Sequence, residues 1–392
     1  MSTDKPQTVS LQSVSDLIAP GAPLPFRVLD SYGRLLLAEG QRVMDLAQLK
    51  TLLERGASVI QVEADAVRQS RQAGQAGNSR APSGRRLTWF DRWERHLWEI
   101  DDALREVNRG SAQTGQITAM LDQQWMLVSA QPDAALFTIQ RQDERRFALY
   151  ALTHARDAAT VVQLTATVMG WPEAQTRSAV AAALTMNACT VELQARMAEQ
   201  SEPPTKKQIE QLREHPMKSA AQLRAAGITD AAWLEAVEQH HEQTGGGGYP
   251  AELTSPSEMA RLLRAADVYT AKISPRAIRA PLVSQVAARH LFQEEKGSAM
   301  AGALIKAVGV YPPGDIVKLA SGEVAIVTQR AQGSKGTQVA VLLGANGKPV
   351  GGTARRDTSD KAFAIAGIYA ERAALPRVLP EQVYGLLYAD ET

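Results

Sequence analysis

His240-His241-Glu242-Gln243-Thr244-Gly245-Gly246-Gly247-Gly248-Tyr249-Pro250 is the stretch on which the reading of this chain turns. The sequence holds only six histidines, yet two are adjacent here and a third, His215, stands upstream in Glu214-His215-Pro216. Adjacent residues of a helix point about 100° apart. The two rings are therefore expected to address two sides of a site, or two neighbouring metals, and not one ligand position. Imidazole is the commonest protein metal ligand. The glycine run that follows offers what other sequences do not, positive φ and close backbone approach.

Outward from this point the chain reads as helix after helix, from residue 87 to about 310. Trp89, Phe90, Trp93, Leu97, Ile100 and Leu104 follow a 3,4 spacing, with Asp91, Arg92, Glu94 and Arg95 between them, as in an amphipathic helix whose tryptophans are core. Further helices are expected over 113–129, 143–169, 173–199, 205–225, 229–243, 256–272 and 279–308, punctuated by Gly170-Trp171-Pro172, Ser201-Glu202-Pro203-Pro204 and Gly227. At the amino-terminal end, apolar runs flank Asp30-Ser31-Tyr32-Gly33, a hairpin signal. Leu46, Leu49, Leu52 and Leu53 follow at helical spacing, then Val59-Ile60-Val62. Past Gly309, Ile316–Arg330 and Thr337–Gly344 alternate as strands do. The expected organisation is a small α+β domain at 1–66, a flexible linker at 67–86 where large apolar side chains are almost absent, a helical connector at 87–139, a helical domain at 140–310 and a β-rich appendage at 311–392. The fold class is mainly α.

HHEQTGGGGYP resembles the HHE-x-x-D-G-x-G-Y-P signature of HD-GYP domains, the bacterial cyclic di-GMP phosphodiesterase module. The resemblance extends from about residue 140 to 310. ARLLRAADVYTAKISPRAIR is similar to the segment that carries a metal-binding aspartate and an arginine-rich turn, here Asp267 and Arg276, with Arg279 beside it. LTHARDAATVVQLTATVMGW looks like the first helix of the domain with its histidine, His154, and REHPMKSAAQL like the helix bearing the next ligand, His215. The resemblance implies a helical HD-type domain and metal ligands His154, His215, His240, His241 and Asp267. It also implies a nucleotide contact made by Gly246, Gly248, Tyr249, Pro250, Arg276 and Arg279. Guanidinium groups give bidentate contacts to phosphate.

The departures from the family pattern bear on chemistry. The stretch that corresponds to AALLHDIGK is AAALTMNAC, which puts Thr185 and Met186 where the His-Asp pair should stand and Cys189 in place of the lysine. Gly245 replaces the aspartate of the glycine motif. Phosphodiester hydrolysis at such a site uses two or more cations a few Å apart, and their repulsion calls for a bridging carboxylate. Met186 offers a thioether with no charge, a poor ligand for such metals. The expected outcome is one divalent ion (iron or manganese) or none, and weak or absent hydrolysis. Asn187, beside the lost pair, is placed to hydrogen-bond in the emptied site.

Composition narrows the rest. Hydrophobic residues make up 44% and charged residues 22% of the 392, so the chain buries ordinary cores, and more than one of them. A net charge of +1 selects neither a nucleic acid polymer nor an anionic membrane. The lone Cys189 excludes an internal disulfide and fits a reducing compartment. The amino terminus lacks a signal-peptide pattern, and no stretch of about 18 apolar residues is present. A cytoplasmic protein without a transmembrane segment is expected. Lys206, Lys207 and Lys335 read as solvated surface, and His96 and His290 as surface or interface residues with no special role. Three functions compete: a phosphodiesterase with a remodelled site, a non-hydrolytic sensor of cyclic di-GMP or a related nucleotide that reports to signalling partners, and a pure interaction domain. The second is preferred.

Overall fold

The computed structural model describes residues 7–31, 33, 35–39, 41–43, 46–73, 87–111, 114–141, 146–350, 354–371, 375, 378–385 and 387. The chain opens with β1 (Thr8–Ser10), a 3-10 turn at Leu11–Leu17, β2 (Val28–Leu29), β3 (Leu35–Leu37), α1 (Leu46–Glu54), β4 (Ser58–Ile60) and α2 (Gln61–Ala73). The strands form one antiparallel sheet in the order β1-β4-β2-β3. The expected hairpin joins β2 to β3, closed by the Gly33 N–H donating to the Asp30 carbonyl at 3.0 Å; Tyr32 of that turn lies outside the described residues. The linker expectation is corrected over 67–73, where α2 continues through Ala73. Alanine, glutamine and arginine favour helix, so a lack of apolar residues there does not mean a lack of structure. The remainder of that stretch, 74–86, lies outside the described residues.

The helical region comprises α3 (Trp89–Arg109), α4 (Thr114–Ala130), α5 (Pro132–Gln140), α6 (Tyr150–Met169), α7 (Glu173–Thr185), α8 (Val191–Glu199), α9 (Lys206–Ala225), α10 (Ala231–Gln239), α11 (Glu258–Ile273), α12 (Ser284–Glu294) and α13 (Ala299–Val308). Thr88 and Asp91 form a reciprocal capping box at the start of α3, and Gly110, at φ 71°, ends it, as capping chemistry requires. Trp89 and Trp93 are buried and stacked with ring centroids 5.0 Å apart, and the Trp89 indole N–H donates to the Leu127 carbonyl at 3.0 Å. α6 is central: it packs against α3, α4, α7, α8, α11 and α13, and its small Ala and Thr residues allow neighbours on nearly every face. The spacing did not announce α5; Pro132 at its first turn suits a helix start.

His96 is corrected from a surface or interface residue to a fully buried one within the helical region. It lies one turn beyond Trp93, on the apolar stripe itself, and its ring bonds Glu99 at 3.1 Å and Gln124 at 3.0 Å. Burial pushes its pKa down. His290, Lys206, Lys207 and Lys335 are exposed. Arg146 ties the amino-terminal sheet to the helices, donating to the Leu36 carbonyl at 3.0 Å and to the Glu94 carboxylate at 2.6 and 3.2 Å.

After the helices, β5 (Ile316–Leu319), β6 (Val324–Gln329), β7 (Gln338–Leu343), β8 (Arg355–Asp357) and β9 (Ile365–Ile368) build an antiparallel sheet in the order β8-β7-β6-β5-β9, followed by α14 (Pro380–Tyr384). Alternation along the strands sends Ile316, Ile326, Ala340 and Leu342 toward Phe137 and Val383, and Val317, Leu319, Ala325, Val327 and Val339 to the other face. The architecture is mainly α with a small sheet at each end. Among the described residues no helix is long and apolar enough to cross a membrane. Because Trp89 fills the contact between α3 and α4 and satisfies a carbonyl there, Trp89→Ala should cost about 3–5 kcal/mol. A denaturant midpoint unchanged from wild type would show that this contact contributes nothing.

Candidate metal and ligand site

Two helices, α9 with a proline inside it and α10 at its end, deliver three histidines to one place. In α9, Pro216 has no N–H to give to the carbonyl of Leu212, its i−4 partner. The ring of His215 takes that carbonyl instead, with Nδ1 2.6 Å from it. His240 caps α10, and its Nδ1 lies 2.7 Å from the Val237 carbonyl, one of the orphan acceptors of a helix end. A carbonyl can only accept, so both Nδ1 atoms carry the proton and both Nε2 atoms present lone pairs. Those two Nε2 atoms face each other at 3.0 Å. Two acceptors at that distance repel unless a cation or proton lies between them. The ring of His241 completes the group, and the ligand atoms of His215, His240 and His241 all lie within 4.8 Å of one another. His240 and His241 both reach this one site, just past the end of the helix at Gln239.

The electrostatics agree with neutral imidazoles. Burial, assisted by the neighbouring His240, pushes His215 down to about 3. Burial also lowers His240, and burial with the adjacent His240 holds His241 well below its ordinary value. Beside them the His154 Nε2 and Asp267 Oδ1 atoms are 2.7 Å apart. Burial works to raise the Asp267 carboxyl, but the His154 bond and the nearby histidines hold it well below the usual range. Tyr150, which the sequence reading did not single out, stacks on His154 with centroids 5.5 Å apart and planes within 8°.

The glycine loop is fixed as well as flexible in type. Gly245, Gly246 and Gly247 have φ of 91°, 89° and 86°, a region that favours glycine. A Cβ on Gly248 would lie 2.5 Å from the Glu242 Cα and 2.6 Å from the His241 carbonyl. The buried Glu242 carboxylate accepts the N–H of Ala251 at 2.6 Å and of Leu253 at 2.9 Å, pinning the far side of the loop. The N–H groups of Gly245, Gly246 and Tyr249 bond to backbone carbonyls of the same loop region, so these amides serve the loop's own shape. Tyr249 stacks on His241, with centroids 4.6 Å apart. It stands between an inner cavity of about 140 Å³, which holds His154, His215, His241 and Asp267, and an outer cleft of about 510 Å³, which Gly248 and Pro250 also line.

Arg276 reaches the inner cavity, with its guanidinium over the Tyr150 ring and bonded to the Tyr150 hydroxyl. Arg279 points elsewhere, to the carbonyls of Ala271 and Lys272 at the end of α11. Thr185 and Met186 belong to the core. The Trp233 indole donates to the Thr185 hydroxyl at 2.8 Å, and that hydroxyl donates to the Ala181 carbonyl at 2.7 Å; Met186 is fully buried among apolar side chains. Asn187 lines the inner cavity, whereas the Cys189 thiol turns to the His215 carbonyl and Ser219.

Residues 139–300 match the family model described as HD domain. That helical region belongs to the HD domain family, and the HD-GYP resemblance read from its glycine loop stands. Over 123 residues the chain is 31% identical to the cyclic di-GMP phosphodiesterase PA4108 of Pseudomonas aeruginosa. The match covers 30% of this chain and 30% of that protein's length. Bd1817, a HDG"Y"P protein from Bdellovibrio bacteriovorus, superposes with a TM-score of 0.49 at 14% identity, over 77% of this chain and 99% of that one.

The three imidazoles should bind at most one divalent ion per chain, and replacing His240 and His241 together by Ala should release it. Elemental analysis that finds two or more tightly held ions, or retention in the double variant, would place metal elsewhere. A second expectation concerns pH. All three rings are held below the 6.5 of a free imidazole, so in metal-free protein the unfolded chain takes up protons that the folded chain refuses. Stability should fall as pH drops from about 6.5 toward the folded-state value of about 3 for His215. Urea midpoints equal at about pH 7.5 and about pH 5 would show rings that titrate normally.

Proposed function

We propose that this chain is a cyclic di-GMP-binding signalling protein of the HD-GYP type in which ligand recognition persists while phosphodiesterase activity is weak or absent. The observation that carries the proposal is the contrast between the two halves of the site. His215, His240 and His241 bring their ligand atoms within 4.8 Å of one another, a spacing that suits a metal. Thr185 and Met186 are turned to structural use in the core. The expected ion is iron or manganese, both compatible with this donor set.

A divalent ion held by the three imidazoles would supply Lewis-acid polarisation of a phosphate oxygen. The chain's own residues do the rest. Arg276 offers charged donors toward the cavity, suited to a phosphate. Asp267 holds His154 in one orientation and favours a proton on its Nε2. Tyr150 backs both His154 and Arg276 from the same wall. What the site lacks is a carboxylate able to bridge a second cation: Asp267 is engaged by His154, and Met186 cannot serve. The reading also includes a cytoplasmic location and one or more protein partners that receive the signal.

Wild-type protein should bind cyclic di-GMP in calorimetry. With manganese or ferrous ion it should form linear dinucleotide or GMP more slowly than about 0.1 s⁻¹, below the range of ordinary enzymes. Steady metal-dependent turnover above that rate would overturn the loss of hydrolysis. Absence of binding would favour a pure interaction domain.

A further inference from the structure

The inner cavity has a wall that no metal ligand explains. Its far side is built from α8 and from the turn after α11, joined by the Ala277 N–H donating to the Ala198 carbonyl at 2.7 Å. Gln194 lies one helical turn before Ala198, on the same face of α8, and both line the cavity with Arg276. Two polar atoms in this wall are buried with no partner among the described residues, the Gln194 Oε1 and the Arg276 Nε. A buried acceptor left unmade costs about 1–3 kcal/mol, and such groups in native proteins ordinarily answer to a water or a ligand. Here one acceptor and one charged donor are unmade, on two residues that line one cavity.

We propose that Gln194 is a specificity-determining residue that accepts a hydrogen bond from a ribose 2′-hydroxyl of the bound nucleotide. This rests on the nucleotide-binding reading given above. A phosphate ester has oxygens that only accept, so phosphate satisfies the Arg276 Nε and the histidine side of the cavity but can do nothing for the Gln194 Oε1. That atom needs an O–H or N–H. The cavity has room, at about 140 Å³, for about five waters at roughly 30 Å³ each. A phosphate and the sugar carrying it are of that order; a whole cyclic dinucleotide is not. In a 3′,5′-linked ribonucleotide the 2′-hydroxyl is vicinal to the phosphorylated 3′-oxygen. It is therefore the donor that comes nearest when phosphate occupies the arginine end. The bases then lie outward, past Tyr249, where the larger cleft begins.

Calorimetry on manganese-loaded protein with cyclic di-GMP, its 2′-deoxy analogue and cyclic di-IMP, which lacks the exocyclic amine, tests this. Wild type should prefer cyclic di-GMP to the deoxy analogue by roughly tenfold, the worth of one hydrogen bond to a site built for it, and should bind cyclic di-IMP about as well as cyclic di-GMP. Gln194→Leu should lose the ribose preference, with metal content unchanged. Gln194→Glu, which keeps an acceptor of the same shape, should retain the preference and serves also if the leucine variant fails to fold. An unchanged ribose preference in the leucine variant, or its loss in the glutamate variant, would overturn the assignment. Discrimination that moves to cyclic di-IMP would give Gln194 to a base N–H in place of the sugar. Wild type that binds none of the three would overturn the nucleotide reading itself, whereas wild-type binding with a deoxy analogue of equal affinity overturns only the role of Gln194.

Discussion

The site depends on two imidazole nitrogens brought to 3.0 Å from each other while the Nδ1 atom of each ring is taken by a backbone carbonyl. Nothing about two histidines favours that arrangement in isolation. Backbone carbonyls impose it, one freed because a proline cannot bond it, the other freed because a helix ends. Each carbonyl fixes a tautomer, and the fixed tautomers leave the facing atoms as bare acceptors. The rest of the arrangement serves this pair. α9 and α10 pack against each other to hold the separation, and Glu242 pins the loop that places Tyr249 over His241.

The other half of the site is closed without a hole. Polar positions in the middle of a helical protein must be satisfied or made apolar. Thr185 is satisfied, accepting from an indole and donating back along its own helix. Met186 is apolar and adaptable in shape, and its neighbours close around it. Amides then take up the space facing the cavity, with Asn187 from the connection between α7 and α8 and Gln194 from α8. The result is a cavity lined by amides and Arg276 on one side and by His154, His215, His241 and Asp267 on the other.

The mainly helical architecture was legible because the pattern along α3 and the glycine, proline and capping signals between helices are local. The histidine group was legible from its motif, yet its geometry was not. Residue spacing treats His240 and His241 as helical neighbours, whereas the helix ends one residue earlier. His96 was misplaced because residue type outweighed its position on the apolar stripe between Trp93 and Ile100. Gln194 and Tyr150 carry no signal in a single sequence: an amide on one helix and a phenol on another become neighbours of the site only through packing. The Pro216 effect was present in the sequence in principle, since a proline after a histidine inside a helix names the carbonyl it releases.

Arg146 gives the molecule a further property. Its guanidinium is shared between the Leu36 carbonyl of the amino-terminal sheet and Glu94 of α3, and a single turn of backbone then leads to Tyr150, the first residue of α6. Tyr150 carries both the face on which His154 rests and the hydroxyl that Arg276 grips. The amino-terminal sheet cannot slide relative to the helices without either surrendering that carbonyl bond or pulling on the first turn of α6. Mechanically, the wall of the cavity is fastened to a part of the chain that does not line it, and the fastening is a fork of charged hydrogen bonds that protonation of one carboxylate loosens.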